Sequence, residues 1–111
     1  MNSYTISRLA RDAGVSTHVV RDYEMRGLLS PCQYTDSGYR LYDETVLQRL
    51  RFILMGKEAS LTLGELECLC KAMDKSDTER FQRSVVKIRE RLAQKIGLQR
   101  KFSRQLSALL P

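Results

Sequence analysis

Histidine and cysteine are the residues of this sequence best suited to chemistry, and they are few. The single histidine, His18, has no second potential metal ligand near it in the sequence. Cys68 and Cys70 are two residues apart, so on a helix their side chains point about 200° from each other and cannot chelate one ion. Cys32 is a lone thiol. No nucleophile or carboxylate pair stands in a catalytic arrangement, so we predict a protein that is not an enzyme and uses no metal or cofactor. A redox or metal-sensing role for the three cysteines stays open.

A second group of residues has the chemistry to bind nucleic acid. Thr17, His18 and Arg21 fall on the exposed, N-terminal part of a predicted helix, where an arginine can donate to a guanine edge or to a phosphate. Arg40 stands close to Gly38, and the small glycine lets a guanidinium approach a phosphate backbone. The alternative is that these side chains form only a solvated face.

Two short helices would position the first three of these residues. Residues 5–13 carry apolar side chains at helical spacing, with Thr5 as their N-cap, and Arg8 near their start is a further candidate for a phosphate contact. Gly14 suits the left-handed turn that ends such a helix. Ser16 can cap a second helix, which we expect over residues 17–27. A helix, a short turn containing glycine and a second helix together predict a helix-turn-helix.

A β-hairpin would position Arg40. Residues 32–34 and 39–42 both carry aromatic side chains, and the segment Asp36-Ser37-Gly38 between them has the composition of a turn. We interpret this hairpin as a wing beside the helix-turn-helix. Tyr42, at its end, is predicted to be a core residue more readily than a DNA contact.

Two further helices are expected after the hairpin. The first covers residues 43–56 with Asp43 as its N-cap, and the second covers residues 62–73. Each has leucine and isoleucine along one face, and Cys70 falls on the inward face of the second. The polar residues 74–77 then interrupt the pattern.

The last third of the chain has the pattern of a coiled coil. Apolar side chains recur at alternating spacings of four and three residues. A helix of this length, roughly 50 Å, cannot bury its apolar face against the rest of so small a chain. We therefore predict dimerisation. Lys95 and Gln99 are polar positions in the middle of the seam, where they either fix the register or mark a place where the seam opens to solvent. The predicted seam comprises Phe81, Val85, Ile88, Leu92, Lys95, Gln99, Phe102, Leu106 and Leu109.

Charge is distributed unevenly between the last third of the chain and the residues before it. The net charge of +6 lies entirely in residues 77–111, whereas residues 1–76 hold ten basic and ten acidic side chains. Total charge therefore does not argue for DNA binding by the first region, and that prediction rests on the motif. We predict a DNA-binding domain over residues 1–76 and a dimerisation helix over residues 77–111.

The sequence has no apolar run long enough to span a membrane and no signal-peptide pattern, so we expect a cytoplasmic protein.

The ordered segments YTISRLARDAGVS, VVRDYEMRGLL, GYRLY, VLQRLRFI and SLTLGELECL resemble the MerR family of transcription regulators. The resemblance runs through most of the chain. It implies a mainly α-helical fold with a winged helix-turn-helix head, a small β wing, a second helix pair and a long helix in an antiparallel coiled coil. It also implies a dimer that binds an inverted repeat in promoter DNA. Typical members carry an effector domain after the coiled coil, and none is expected in this chain.

The resemblance implies roles for individual residues. Tyr23, Tyr39 and Arg40 match positions that contact the DNA backbone. In the second wing, Glu58 departs from the family pattern, because many members have a basic residue at its position; Lys57 lies beside it. Asp22 is a second departure, because a carboxylate facing phosphate would be repelled unless it pairs with a cation four residues on. The predicted DNA-binding set comprises Arg8, Ser16, Thr17, His18, Arg21, Tyr23, Tyr39, Arg40 and Lys57.

Two functions of different classes follow from these patterns. The first is a homodimeric DNA-binding regulator without a metal or drug sensor of its own. The second is a protein-interaction antagonist whose coiled coil pairs with a full-length regulator of the same family or with RNA polymerase; the positive charge of residues 77–111 motivates it, since two such helices repel each other. A winged head would also fit a phage excisionase, but the long dimerisation helix argues against that.

Overall fold

The computed structural model describes residues 3–111, which are mainly helical with one small sheet. This confirms the predicted winged helix-turn-helix fold with a long C-terminal helix. The chain divides into two compact units, one up to Lys71 and one from Ala72, a little before the predicted boundary at residue 76. In chain order the elements are α1 (Ile6–Ala13), α2 (Thr17–Met25), β1 (Gln33–Tyr34), β2 (Arg40–Leu41), α3 (Glu44–Glu58), α4 (Leu63–Asp74) and α5 (Thr78–Ala108).

Short-range hydrogen bonds set the limits of the helix-turn-helix. The Thr5 hydroxyl accepts from the backbone N–H of Arg8 and begins α1. Gly14 ends α1 in the left-handed conformation, with φ of 76°, and its N–H donates to carbonyl groups of the last turn. The Ser16 hydroxyl then accepts from the N–H of Val19, at 3.3 Å, and begins α2. The predicted caps are therefore confirmed.

The wing is a two-stranded antiparallel hairpin in which Tyr34 lies opposite Arg40. Its turn is held by Thr35, whose N–H donates to the carbonyl of Tyr39 and whose hydroxyl accepts from the N–H of Tyr39. Gly38 has φ of 86°, a conformation that a side chain disfavours. Beyond the strands, Tyr4 and Tyr42 exchange two backbone hydrogen bonds, which join the base of the wing to the segment before α1.

The second helix pair, α3 and α4, packs closely at one glycine. A Cβ atom added at Gly56 would stand 2.7 Å from a methyl group of the fully buried Leu66. Thr62 and Glu65 cap α4 reciprocally, because each side chain accepts from the backbone N–H of the other residue. The Asp43 carboxylate caps α3 by accepting from Val46.

The core of the first unit contains residues that the sequence pattern predicted to face inward. Tyr42 is fully buried, as predicted, and so is Cys70, which is 1% exposed. These residues lie in an apolar core that also contains Leu9, Val20, Leu28, Leu50, Ile53 and Leu66.

The helix α5 has 31 residues and none of them is buried. Of its predicted seam, the residues from Phe81 to Leu92 are half-buried, whereas those from Lys95 onward are exposed, including Phe102 at 59% and Leu109 at 80%. A row of apolar side chains along a helix is costly to leave in water, so the single chain leaves this face available for a partner. Within residues 3–111, no helix combines the length and apolar character that a membrane crossing requires.

Candidate nucleic-acid interface

An open groove lies between the start of α1, the helix α2 and the wing. Its volume is about 320 Å³. It brings together three of the predicted DNA-binding residues, Arg21 from α2 and Tyr39 and Arg40 from the wing. Residues from three separate segments therefore face one surface, lined by Thr5, Ile6, Arg21, Tyr34, Gly38, Tyr39 and Arg40.

The helix α2 presents its first turns to solvent because its other face is in the core. Val20 is fully buried, whereas His18 and Arg21 are exposed and Thr17 is half-buried. Residues at positions 17, 18 and 21 share one face at helical spacing. This is the surface that a helix-turn-helix inserts into the major groove.

Tyr23 is 4% exposed, so it is a core residue. The contact with the DNA backbone that the family resemblance implies for Tyr23 stays a prediction, and only the small surface that remains exposed could make it. Sequence spacing places Tyr23 on the inward side of α2, and packing against the core leaves it almost no surface. Ser16 is exposed, and its oxygen is already used to cap α2.

The wing presents one aromatic and one cationic side chain. Tyr39 is 73% exposed at its tip. Arg40 is anchored from behind: its Nε lies 3.6 Å from Oε2 of Glu24 in α2. The Tyr42 hydroxyl donates to Oε1 of the same Glu24 carboxylate. Burial, reinforced by this hydrogen bond to a carboxylate, raises the pKa of Tyr42 above its ordinary value.

Arg8 is exposed on α1 but does not line the groove. Its guanidinium carbon lies 5.1 Å from the centre of the Tyr4 ring, and its Nε is 3.8 Å from a carboxylate oxygen of Asp12. The Tyr4 hydroxyl donates to Glu44 at 2.7 Å, and this bond is the main cause that raises the pKa of Tyr4. Lys57 is also exposed, in the last turn of α3, away from the groove-lining set.

Asp22 pairs with a cation, one of the two outcomes left open by the sequence. The Nε of Arg26 donates to the Asp22 carboxylate at 3.1 Å, and NH1 of Arg26 lies 3.8 Å from a carboxylate oxygen of Glu67 in α4. The hydrogen bond with Asp22 also raises the pKa of Arg26. The negative charge of Asp22 is therefore compensated on the protein itself.

Sequence reasoning missed several residues of this surface. Tyr34 lines the groove because the hairpin register sets it opposite Arg40, a pairing that the turn position alone could have indicated. Thr5 and Ile6 line it at the start of α1. Glu24 had no sequence signal, because its importance comes from contacts with residues far along the chain.

Comparison with known proteins agrees with this geometry. The sequence profile of the MerR HTH family regulatory proteins matches residues 4–73. The HTH-type transcriptional regulator MerD of Acinetobacter calcoaceticus is 43% identical over 98% of this chain and 90% of its own length. The family assignment confirms the prediction that the protein is not an enzyme, because this is a family of transcription regulators.

Two solved structures share the fold. A crystal structure of a putative MerR family regulator from Listeria monocytogenes aligns with a TM-score of 0.86 and 23% identity, over 94% of this chain and 80% of that one. HiNmlR, a MerR family regulator lacking the sensor domain and bound to promoter DNA, aligns with a TM-score of 0.75 and 20% identity, over 96% of this chain and 80% of that one. With the profile and the MerD relative, we conclude that this chain is a MerD-like member of the MerR family of DNA-binding transcription regulators.

Proposed function

We propose that this protein is a cytoplasmic homodimer that binds an inverted-repeat operator in promoter DNA without a metal or drug sensor of its own. The observation that carries the proposal is the groove in which Arg21, Tyr39 and Arg40 face one surface. A recognition helix supplies base contacts, and a wing supplies backbone contacts that set the orientation of that helix.

The individual roles follow from side-chain chemistry. The Arg21 guanidinium can donate two parallel hydrogen bonds to a guanine edge or a phosphate, and His18 and Thr17 lie beside it at the start of α2. Tyr39 and Arg40 donate to phosphate oxygens from the wing. Arg8 and Lys57 add phosphate contacts outside the groove, and Ser16 contributes mainly by capping α2.

Two copies are needed to read two half-sites, and α5 is the element suited to join them. Its predicted seam is half-buried from Phe81 to Leu92 and exposed from Lys95 onward. An antiparallel pair would bury this seam and set the two heads a fixed distance apart, about one or two turns of DNA. Lys95 and Gln99 would then meet near the two-fold axis.

We further propose that the protein acts as a co-regulator; the similarity to MerD, an HTH-type transcriptional regulator, supports the regulator function. HiNmlR, which lacks a sensor domain and was solved with promoter DNA, gives a precedent for a regulator of this fold without a sensor. Among the described residues, no group of three or more histidine, cysteine or acidic side chains could hold a metal ion.

Arg21 provides the direct test. An operator duplex is first selected from a random pool, and fluorescence anisotropy then compares it with a scrambled duplex at equal salt. We expect Arg21→Ala to weaken operator binding by about tenfold or more. Arg104→Ala removes the same charge from α5 and should change affinity less than about twofold. Equal affinity of the wild-type protein for selected and scrambled duplexes contradicts the proposal.

The positive charge of α5 favours a second candidate, pairing with an acidic helix of a full-length regulator or of RNA polymerase. Residues 91–111 hold five basic side chains and no acidic one. Sedimentation velocity distinguishes the two: a stable homodimer at micromolar concentration argues against obligate heteropairing, and a monomer that dimerises only with the partner argues for it.

A further inference from the structure

Glu24 is an acidic residue that contacts Arg40 of the groove, although a negative charge near a DNA-binding surface opposes the approach of phosphate. It is in the last turns of α2, and its side chain is only 12% exposed. Its two carboxylate oxygens have different partners from the end of the wing, the Tyr42 hydroxyl and the Arg40 Nε. The carboxylate therefore links the recognition helix to the wing through side chains.

The geometry leaves the far edge of the Arg40 guanidinium available for an anion. A guanidinium has five N–H donors, and Nε carries only one of them. Glu24 approaches from the Nε side, while Arg40 is about half exposed and lines the groove together with Arg21. A guanidinium that is already held at its Nε loses less conformational freedom when a phosphate binds, and this improves the affinity for the phosphate.

Resting on the DNA-binding function proposed above, we infer that Glu24 is a positioning residue that holds Arg40 against α2, so that the wing and the recognition helix contact the DNA as one surface. Glu24 does not itself contact the nucleic acid. The negative charge of Glu24 repels DNA phosphates at long range, but the ion pair with Arg40 compensates that charge locally. The benefit for binding is that the Arg40 cation is already ordered before DNA arrives.

Glu24→Gln tests this because glutamine keeps an oxygen that accepts from Tyr42 and loses the charge that holds Arg40. At physiological salt we expect operator affinity to fall about three- to tenfold, as for the loss of order in one long side chain. In an Arg40→Gln background the same change should alter affinity less than about twofold, because its effect passes through Arg40. Equal losses in both backgrounds, or tighter binding by Glu24→Gln, overturn the inference.

Asp22→Asn is the matched control. It removes the same charge from the same helix, but Asp22 pairs with Arg26 and does not line the groove. Its effect on affinity should be equal with and without Arg40. Thermal unfolding of every variant shows whether the head is intact. If Glu24→Gln unfolds, Arg40→Lys replaces it as the test variant. Lysine keeps the positive charge at this exposed site but lacks the Nε–H that faces Glu24, so operator affinity must then fall more than twofold.

A measurement without DNA separates this inference from the proposed function. In NMR spectra of the free protein, 15N relaxation of the Arg40 Nε should show a more ordered guanidinium in the wild type and in Asp22→Asn than in Glu24→Gln. Equal order in Glu24→Gln contradicts the positioning role whatever the DNA affinities are. If the order is lost as expected while the wild type shows no preference for the selected duplex, the link between Glu24 and Arg40 is supported and the operator-binding function is refuted.

Discussion

Gly56 offers a test of how closely the second helix pair packs. The change is Gly56→Ala, which adds one methyl group between α3 and α4. That methyl would lie 2.7 Å from Cδ2 of Leu66, whereas ordinary contacts begin at about 3.4 Å. Leu66 is fully buried, so it has little room to withdraw.

Two opposing effects decide the sign. Alanine is favoured over glycine in a helix by about 1 kcal/mol, and overpacking a core costs about 1–3 kcal/mol. Because the contact is short and its partner is enclosed, we expect overpacking to prevail and the free energy of unfolding to fall by about 1 kcal/mol. For a unit of this size that lowers Tm by about 4–8 °C.

Gly97→Ala is the internal control. A Cβ at Gly97 in α5 has no atom within 4 Å, so the substitution brings only the gain in helix propensity. Circular dichroism at 222 nm, recorded on heating at one fixed protein concentration, should show Tm lowered by Gly56→Ala and not lowered by Gly97→Ala. The fixed concentration matters because dimerisation makes Tm depend on it. A Tm raised by Gly56→Ala would refute the packing argument.

Two other predictions concern the hydroxyl groups of the head. The pKa values of Tyr42 and Tyr4 are raised above 10.0, so the folded state holds these protons more tightly than the unfolded chain; their contribution to stability is fully present below about pH 10 and is lost as the pH rises further. Urea unfolding at pH 9 and pH 11 should show this decline, and Tyr42→Phe should make it shallower; an equal decline in the variant contradicts the assignment. Ser16→Ala removes the cap of α2 and should lower the free energy of unfolding by about 1 kcal/mol in the same assay at pH 7, whereas Ser16→Asn should retain most of it. No loss in Ser16→Ala would mean that the Val19 N–H finds another acceptor at no cost.

Local features of this protein could be predicted from the sequence because they depend on neighbours within about four residues. The caps at Thr5, Ser16 and Asp43, and the glycine turn after α1, are such features, and the structure contains each of them. The period of the apolar residues placed Cys70 in the core in the same way. The Asp22–Arg26 pair could be named as one of two outcomes since it spans a single helical turn.

Tertiary structure decided which of these local features meet. The groove requires α1, α2 and the wing to pack in one arrangement, and no spacing along the chain encodes that arrangement directly. Tyr23 shows the consequence, because burial against the core removed nearly all of the surface that the family position implied for it. Glu24 shows the converse: its partners lie 16 and 18 residues along the chain, at Arg40 and Tyr42, and only the folded head brings them to its carboxylate. The sequence alone therefore determined the elements and their exposed faces, whereas packing determined the surface that they form together.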